Sequence, residues 1–220
     1  MKAIVSGYGR MGHMVEAELR RRGVEVAACS EDICSVDPAL ARECVCIDFT
    51  QPGPFRANYS FIAANFKAAV VGTTGWYDIK DLVFAEFERH GCPLIWSANF
   101  SIGVIALFAA VEKASAVLSG NGYTPSVTET HHIHKLDKPS GTAKILGGII
   151  EAGLGTAPTV ESVREGEVPG IHTVEFVSGC DRLSFTHEAF SREGLAAGAV
   201  AAALLTEGLE GVHEFKDLII

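Results

Sequence analysis

The segment Glu129–Ala143 contains the densest group of chemically active side chains in the sequence. Three histidines and two lysines lie between His131 and Lys138. An imidazole can donate a proton near neutral pH, and an ammonium group attracts anions. Such a concentration is hard to explain by packing. We therefore predict that this segment supplies an acid and positive charge to an anionic substrate.

A helix start follows this segment directly. Pro139 fixes a backbone torsion, Ser140 offers a capping hydroxyl, and the pattern from Gly141 predicts a helix that runs to Gly153. Free backbone N–H groups at a helix start bind carboxylate or phosphate. Ser140 is therefore either a helix cap or a ligand contact.

Elements that could position a cofactor stand at the beginning of the chain. The short apolar run Lys2–Ser6 leads into Gly7, Gly9 and Gly12, and a helical pattern and a second strand follow. This order is typical of a dinucleotide-binding turn, in which the first glycine allows a tight turn, the second lets the backbone approach the pyrophosphate, and the third lets the helix pack closely. The predicted cofactor-binding turn comprises Gly7, Tyr8, Gly9, Arg10, Met11 and Gly12.

An acidic residue, Glu31, follows the second predicted strand. Its carboxylate would accept hydrogen bonds from the adenosine ribose and would repel a 2′-phosphate, which favours NADH. Arg10 could instead attract a 2′-phosphate. The sequence thus predicts NADH or NADPH as cofactor and leaves the preference open.

Strands and helices continue to alternate up to position 100, which predicts a parallel sheet. Ligands of such sheets collect at the carboxyl ends of the strands. Two turns at such ends could line the nicotinamide side of the cleft, although ordinary turn chemistry is an alternative explanation. Their residues are Gly72, Thr73, Thr74, Ser97, Ala98, Asn99 and Phe100.

The second half of the chain has a different pattern. A long apolar helix is predicted from Ile102 to Leu118, and from Thr124 onward polar and apolar residues alternate as in an open mixed sheet. A helical run from Gly194 to Leu209 follows. We predict an α/β protein with a Rossmann-type parallel-sheet nucleotide domain (1–100 plus 193–220) and a second α+β domain that carries an open mixed sheet (101–192). An exposed sheet face in so small a domain favours oligomerisation.

Composition excludes several classes of function. The formal net charge of −9 argues against broad nucleic-acid binding, and no apolar run approaches the length of a membrane span. We identify no signal peptide and expect a cytoplasmic protein. The six cysteines lack C-x-x-C spacing, so we expect reduced thiols and no metal site.

Taken in order, the glycine turn, Gly72–Gly75, Ser97–Val104 and Glu129–Ala143 resemble the dihydrodipicolinate reductase family of the bacterial and plant lysine pathway. The resemblance spans nearly the whole chain and includes Gly170-Ile171-His172 and Thr186–Arg192 near its end. The pattern E-x-H-H-x-x-K-x-D-x-P-S-G-T-A is far more specific than a dinucleotide fingerprint.

This resemblance implies reduction of a cyclic imine dicarboxylate, formed from 4-hydroxy-tetrahydrodipicolinate, to tetrahydrodipicolinate with NADH or NADPH. It implies that His131 is the proton donor, that Lys135 stabilises the transition state, and that His132, Gly141 and Thr142, with Ser140, hold the substrate. It also implies a cytoplasmic homo-oligomer, usually a tetramer and alternatively a dimer, that assembles through the sheet of the second domain.

Two alternatives remain at this point. Another small Rossmann reductase of an anionic metabolite would place its acid elsewhere, and a non-catalytic dinucleotide sensor would have no use for His131 and Lys135. Of the neighbouring residues, we expect His134 to be structural or solvent-exposed and Asp137 to orient Lys135 or to cap a turn.

Overall fold

A computed structural model describes all residues from 1 to 220, and these form two compact units. One unit combines Met1–Ser101 with Leu195–Ile220, and the other is the continuous stretch Ile102–Gly194. Neither unit contains a helix whose length and hydropathy suit a bilayer crossing.

The first unit begins with alternating strands and helices. Its strands up to residue 101 are β1 (Lys2–Ser6), β2 (Glu25–Ser30), β3 (Cys44–Asp48), β4 (Ala68–Val71) and β5 (Leu94–Trp96). Its helices are α1 (Arg10–Arg21), α2 (Pro38–Ala41), α3 (Pro52–Asn65) and α4 (Lys80–His90), with 3-10 turns at Ile33–Ser35 and Tyr77–Ile79. β3 and β4 are buried along their whole length, as expected for central strands of a sheet covered on both faces.

The second unit packs two helices on one face of a mixed sheet. Its elements are α5 (Ile102–Leu118), β6 (Thr124–His131), α6 (Gly141–Leu154), β7 (Thr159–Arg164), β8 (Gly170–Val177) and β9 (Arg182–Ala189). The strand order is β7-β6-β8-β9; β6 and β7 are parallel and the other pairs are antiparallel. Apolar side chains of both helices, such as Val111 and Leu146, form a core with Val127 and Val174 of the sheet.

The chain then returns to the first unit through α7 (Glu193–Leu205) and β10 (Val212–Glu214). β10 pairs with β5 and completes a parallel sheet of order β10-β5-β4-β3-β1-β2. α7 passes very close to the turn after β5, because a Cβ atom on Gly198 would lie 1.7 Å from the Phe100 carbonyl oxygen. Only glycine permits this approach.

The predicted fold class is confirmed, with two local differences. The helix predicted from Gly194 to Leu209 ends at Leu205, where the Thr206 hydroxyl donates to the Ala203 carbonyl and Gly208 takes a positive φ. β10 escaped prediction because three residues carry too little periodicity to mark a strand.

Candidate active site

The glycine turn after β1 lies where the strand order of the first sheet reverses, between β1 and β3. Such a switch point opens a crevice at the carboxyl ends of the strands. Gly7 has a φ of +86°, and a Cβ on Gly12 would lie 2.2 Å from the Gly7 carbonyl oxygen. A Cβ on Gly9 would meet no atom within 4 Å. Gly7 and Gly12 thus shape the turn, whereas the space beside Gly9 fits an approaching ligand.

The start of α1 suits a phosphate group. Gly9 is its N-cap and contributes no side-chain hydrogen bond, and the first turn contains no acidic residue. Backbone amides and the helix dipole therefore favour an anion there. Arg10 is exposed at the first helical position, and the Tyr8 hydroxyl donates to Glu16.

We expect Gly9→Ala to weaken NADH binding by roughly 5–150-fold, equivalent to about 1–3 kcal/mol of steric conflict with the ligand, and to leave thermal stability near that of the parent. Gly12→Ala is the matched comparison, because its methyl group would strike backbone and lower Tm. Fluorescence titration and thermal melts measure both effects. Parental NADH affinity in Gly9→Ala would contradict the assignment of the turn.

The other predicted cofactor residues also follow the carboxyl ends of strands in the first sheet. Glu31 follows β2 and is exposed. Residues 72–74 follow β4, and residues 97–100 follow β5. Among them Thr73, Ser97 and Phe100 are buried, Gly72 and Asn99 are half-buried, and Thr74 and Ala98 are exposed.

Sequence reasoning missed Asp48, which ties together the ends of β1, β3 and β4. Its carboxylate is fully buried and accepts hydrogen bonds from Ser6 (2.7 Å), Thr50 (2.9 Å) and Thr73. Burial raises the pKa of Asp48, and the hydroxyl groups oppose that effect. Asp48 thereby fixes the position of Thr73. An acid at the end of an apolar strand was the signal that could have identified it.

In the second unit, a polar row crosses the helix-covered face of the sheet. Cross-strand pairing places Ser162, Glu129, His172 and His187 side by side on β7, β6, β8 and β9. His131 lies two residues beyond Glu129 on β6, and therefore on the same face. The sheet brings together residues that are far apart in the sequence.

Glu129 is the centre of this row. Its side chain is fully buried; its Oε1 atom accepts hydrogen bonds from the Ser140 backbone N–H (3.0 Å) and the Arg164 guanidinium (3.1 Å). Its Oε2 atom lies 3.4 Å from Nδ1 of His131 and 3.8 Å from Nε2 of His172. Burial raises the pKa of Glu129, but hydrogen bonds from Ser140, Ser162 and Arg164 bring it to about 2. Glu129 is therefore a carboxylate at neutral pH.

The two buried histidines are shifted toward the neutral form. Burial lowers the pKa of His131; the Glu129 carboxylate raises it, and Lys135 and Arg164 lower it. Burial and the nearby His131 lower the pKa of His172 to about 4. The rings of His131 and His172 meet edge to face, with centroids 5.0 Å apart.

The loop after β6 carries the remaining predicted residues. Lys135 forms an ion pair with Asp137 at 2.8 Å, as expected for an acid that orients the lysine. His134 is exposed and pairs with Glu167. The His132 ring is half-buried and lies 5.9 Å from that of His134.

The start of α6 is capped and anchored. The Ser140 hydroxyl accepts from the Ala143 N–H at 3.2 Å and lies 3.3 Å from Nε2 of His172. Ser140 is thus the helix cap, and its hydroxyl also belongs to the buried cluster. Gly141 is exposed and Thr142 is half-buried in the first turn, where the helix dipole attracts carboxylates.

Sequence reasoning did not single out Glu129, His172 or Arg164 as site residues. Glu129 was identifiable from its two-residue spacing to His131 on a strand. The β6–β7 and β6–β8 pairings that position Arg164 and His172 have no local signal in the sequence.

The facing atoms of Glu129, His131 and His172 lie within 4.8 Å of one another, a spacing that a metal ion could also bridge. Because Arg164 already neutralises Glu129, we interpret the group as a hydrogen-bonding cluster.

Comparison with known proteins covers both units. The family described as "Dihydrodipicolinate reductase, N-terminus" matches residues 1–100, and "Dihydrodipicolinate reductase, C-terminus" matches residues 103–219. The 4-hydroxy-tetrahydrodipicolinate reductase of Christiangramia forsetii is 33% identical over 236 aligned positions, which cover 100% of this chain and 98% of the relative. The enzyme of the same name from Akkermansia muciniphila is 34% identical and covers 96% and 94%.

A solved structure has the same fold. The dipicolinate-bound dihydrodipicolinate reductase from Paenisporosarcina sp. TG-14 superimposes with a TM-score of 0.83 at 17% sequence identity and covers 100% of this chain and 99% of its own. At this identity the likeness concerns the fold.

Proposed function

The chain belongs to the dihydrodipicolinate reductase family, and from that premise we propose which of its residues carry out the reaction. It is an NAD(P)-dependent 4-hydroxy-tetrahydrodipicolinate reductase of lysine biosynthesis. We assign His131 as the proton donor and Lys135 as the cation that stabilises developing charge. The substrate-holding residues are His132, Ser140, Gly141 and Thr142.

The substrate in this proposal is the cyclic imine dicarboxylate formed when 4-hydroxy-tetrahydrodipicolinate loses water. When bound, NADH or NADPH supplies a hydride to an electron-poor carbon of this ring. The electron pair moves to the conjugated system, and His131 donates the proton that neutralises it, giving tetrahydrodipicolinate and NAD(P)⁺. Lys135 balances the charge while it develops.

The observation that supports these roles most is the composition of the cluster around His131. The His131 imidazole, the Lys135 ammonium group and the start of α6 follow one another from the end of β6 onward, and the buried Glu129 carboxylate there is already paired with Arg164. A cluster of this kind attracts a dianionic ring and provides a proton.

The cofactor is NADH or NADPH, and the two residues that we assign to the adenosine ribose have opposite effects. Glu31 favours NADH because it would repel a 2′-phosphate, whereas Arg10 would attract one. We propose that both cofactors support turnover.

The test is an absorbance assay with NADH or NADPH and freshly generated dihydrodipicolinate synthase product. We expect turnover with either cofactor and no turnover without the synthase product. Cofactor binding without turnover would contradict the proposal and indicate a dinucleotide sensor. Turnover only with a different anionic carbonyl compound would indicate another reductase.

We also propose a cytoplasmic homotetramer that assembles through the uncovered face of the second sheet. That face carries Thr128, Thr173 and Thr186, which are exposed or half-buried. Thr173→Arg would introduce four like charges into such an assembly. We expect sedimentation analysis to find a tetramer for the parent and smaller species for Thr173→Arg, with Ala57→Arg, on an exposed position of α3, as control. A monomeric parent would contradict this assembly.

A further inference from the structure

The two oxygens of the Glu129 carboxylate have different surroundings. Oε1 is fixed by the Ser140 N–H and by Arg164, so the carboxylate cannot rotate freely. The Glu129 Oε2 atom and Nδ1 of His131 are both buried, and neither atom makes a hydrogen bond in the structure. They face each other at 3.4 Å. An unpaired buried carboxylate oxygen is costly, so a proton on Nδ1 stabilises the pair.

The other ring nitrogen of His131 lies beside a residue without a side chain. A Cβ on Gly170 would stand 3.1 Å from Nε2 of His131. Any larger residue on this first position of β8 would cover that nitrogen. The backbone of β8 therefore leaves space next to Nε2, while Nδ1 faces the buried carboxylate.

The different surroundings of Nδ1 and Nε2 define which nitrogen of the neutral His131 ring carries the proton. In a neutral imidazole one nitrogen carries the proton, and the hydrogen bond made by one nitrogen decides the state of the other. We propose that Glu129 is a positioning residue for the reductase reaction: its Oε2 atom accepts the Nδ1 proton of His131, so that Nε2 exchanges the proton delivered to the substrate. This proposal rests on the assignment of His131 as the proton donor.

The same carboxylate connects the proton donor to the substrate-holding helix. Through Oε1 it fixes the backbone of Ser140 at the start of α6, and through Oε2 it orients His131. Other charged or titratable groups also act on the imidazole. They are Lys135 and Asp137 from the loop after β6, Arg164 from β7 and His172 from β8.

The first test compares Glu129→Gln with the parent. Glutamine is isosteric but carries no charge, and its amide can present N–H to Nδ1. We expect kcat to fall about 10–100-fold, part of the usual contribution of a general acid, while NADH affinity stays at the parental value. Since the Glu129 carboxylate raises the pKa of His131, the decline of kcat/KM with rising pH should begin at lower pH in Glu129→Gln.

Two further variants separate positioning from folding. Glu129→Asp keeps the charge, and we expect it to restore the pH at which kcat/KM declines and part of kcat. Glu151→Gln removes an exposed carboxylate near the end of α6 in the same unit, and we expect parental kinetics. Parental kcat and pH dependence in Glu129→Gln would overturn the proposal, as would a lower Tm with an unchanged pH dependence.

Nitrogen NMR of the parent protein tests the tautomer without any change at Glu129. We expect the neutral His131 ring, assigned by comparison with His131→Gln, to carry its proton on Nδ1. A proton on Nε2 in the neutral ring would overturn the proposal. A parent without turnover would instead refute the proposed function, and the NMR result would still report the Glu129–His131 hydrogen bond.

Discussion

Replacing His131 with alanine is expected to reduce kcat roughly 10²–10⁴-fold, the usual contribution of a positioned general acid. The reason is chemical, because without the imidazole no group at this place delivers the proton. NADH binding should stay at the parental level, since the residues predicted to bind the cofactor belong to the first unit. Steady-state kinetics and a fluorescence titration measure the two effects separately.

His134→Ala is the matched control, because it removes an exposed imidazole from the same loop. We expect parental kcat for this variant. A His131→Ala enzyme with parental kcat would remove His131 from the mechanism. Loss of NADH binding in the same variant would instead assign the residue to the nucleotide site.

Lys135→Ala should lower kcat/KM by roughly 10²–10³, a loss typical of removing one group that stabilises transition-state charge. The Lys135 side chain is about three-quarters buried and its ammonium group pairs with Asp137, so it is already oriented before substrate arrives. Lys138→Ala removes an exposed lysine from the same loop, and we expect nearly parental kinetics for it. Equal losses in both variants would indicate only general attraction of the substrate.

The residual activity of Lys135→Ala should also have a shifted pH dependence. Lys135 lowers the pKa of His131, so its removal lets the imidazole keep its proton to higher pH. We therefore expect kcat/KM to decline at higher pH than in the parent, the opposite of Glu129→Gln. A pH profile unchanged from the parent would show that Lys135 does not act on His131.

Most of the architecture was predictable because its signals are local. α5 was predicted at Ile102–Leu118 with the bounds that the structure shows, since a largely apolar segment ends just before a Gly-Asn-Gly break. β10 was not predicted, because a three-residue strand exists only through its pairing with β5. The end of α7 was predicted four residues too late, because Thr206 and Gly208 already terminate the helix. The local pattern of apolar residues predicts the long helices and strands, whereas a short strand forms only where it pairs with a distant segment.

The residues of the site likewise divide into those that have a local sequence signal and those that do not. His131 and Lys135 lie in one dense motif and were predicted from it. Arg164 meets Glu129 only because β7 runs parallel to β6 after the α6 crossover, and His172 meets it because β8 is antiparallel to β6. Residue types and spacing therefore identified the proposed proton donor but not the groups that hold it.

The interrupted first unit has a consequence for biosynthesis of the chain. The stretch Ile102–Gly194 is continuous and is complete before α7 and β10 have left the ribosome. Until then β5 lacks its outer neighbour, and the Phe100 carbonyl lacks the glycine that packs against it. Because domains generally fold as units, the inserted segment can acquire its native structure first, and the nascent first unit exposes an open sheet edge at β5 until β10 has been synthesised.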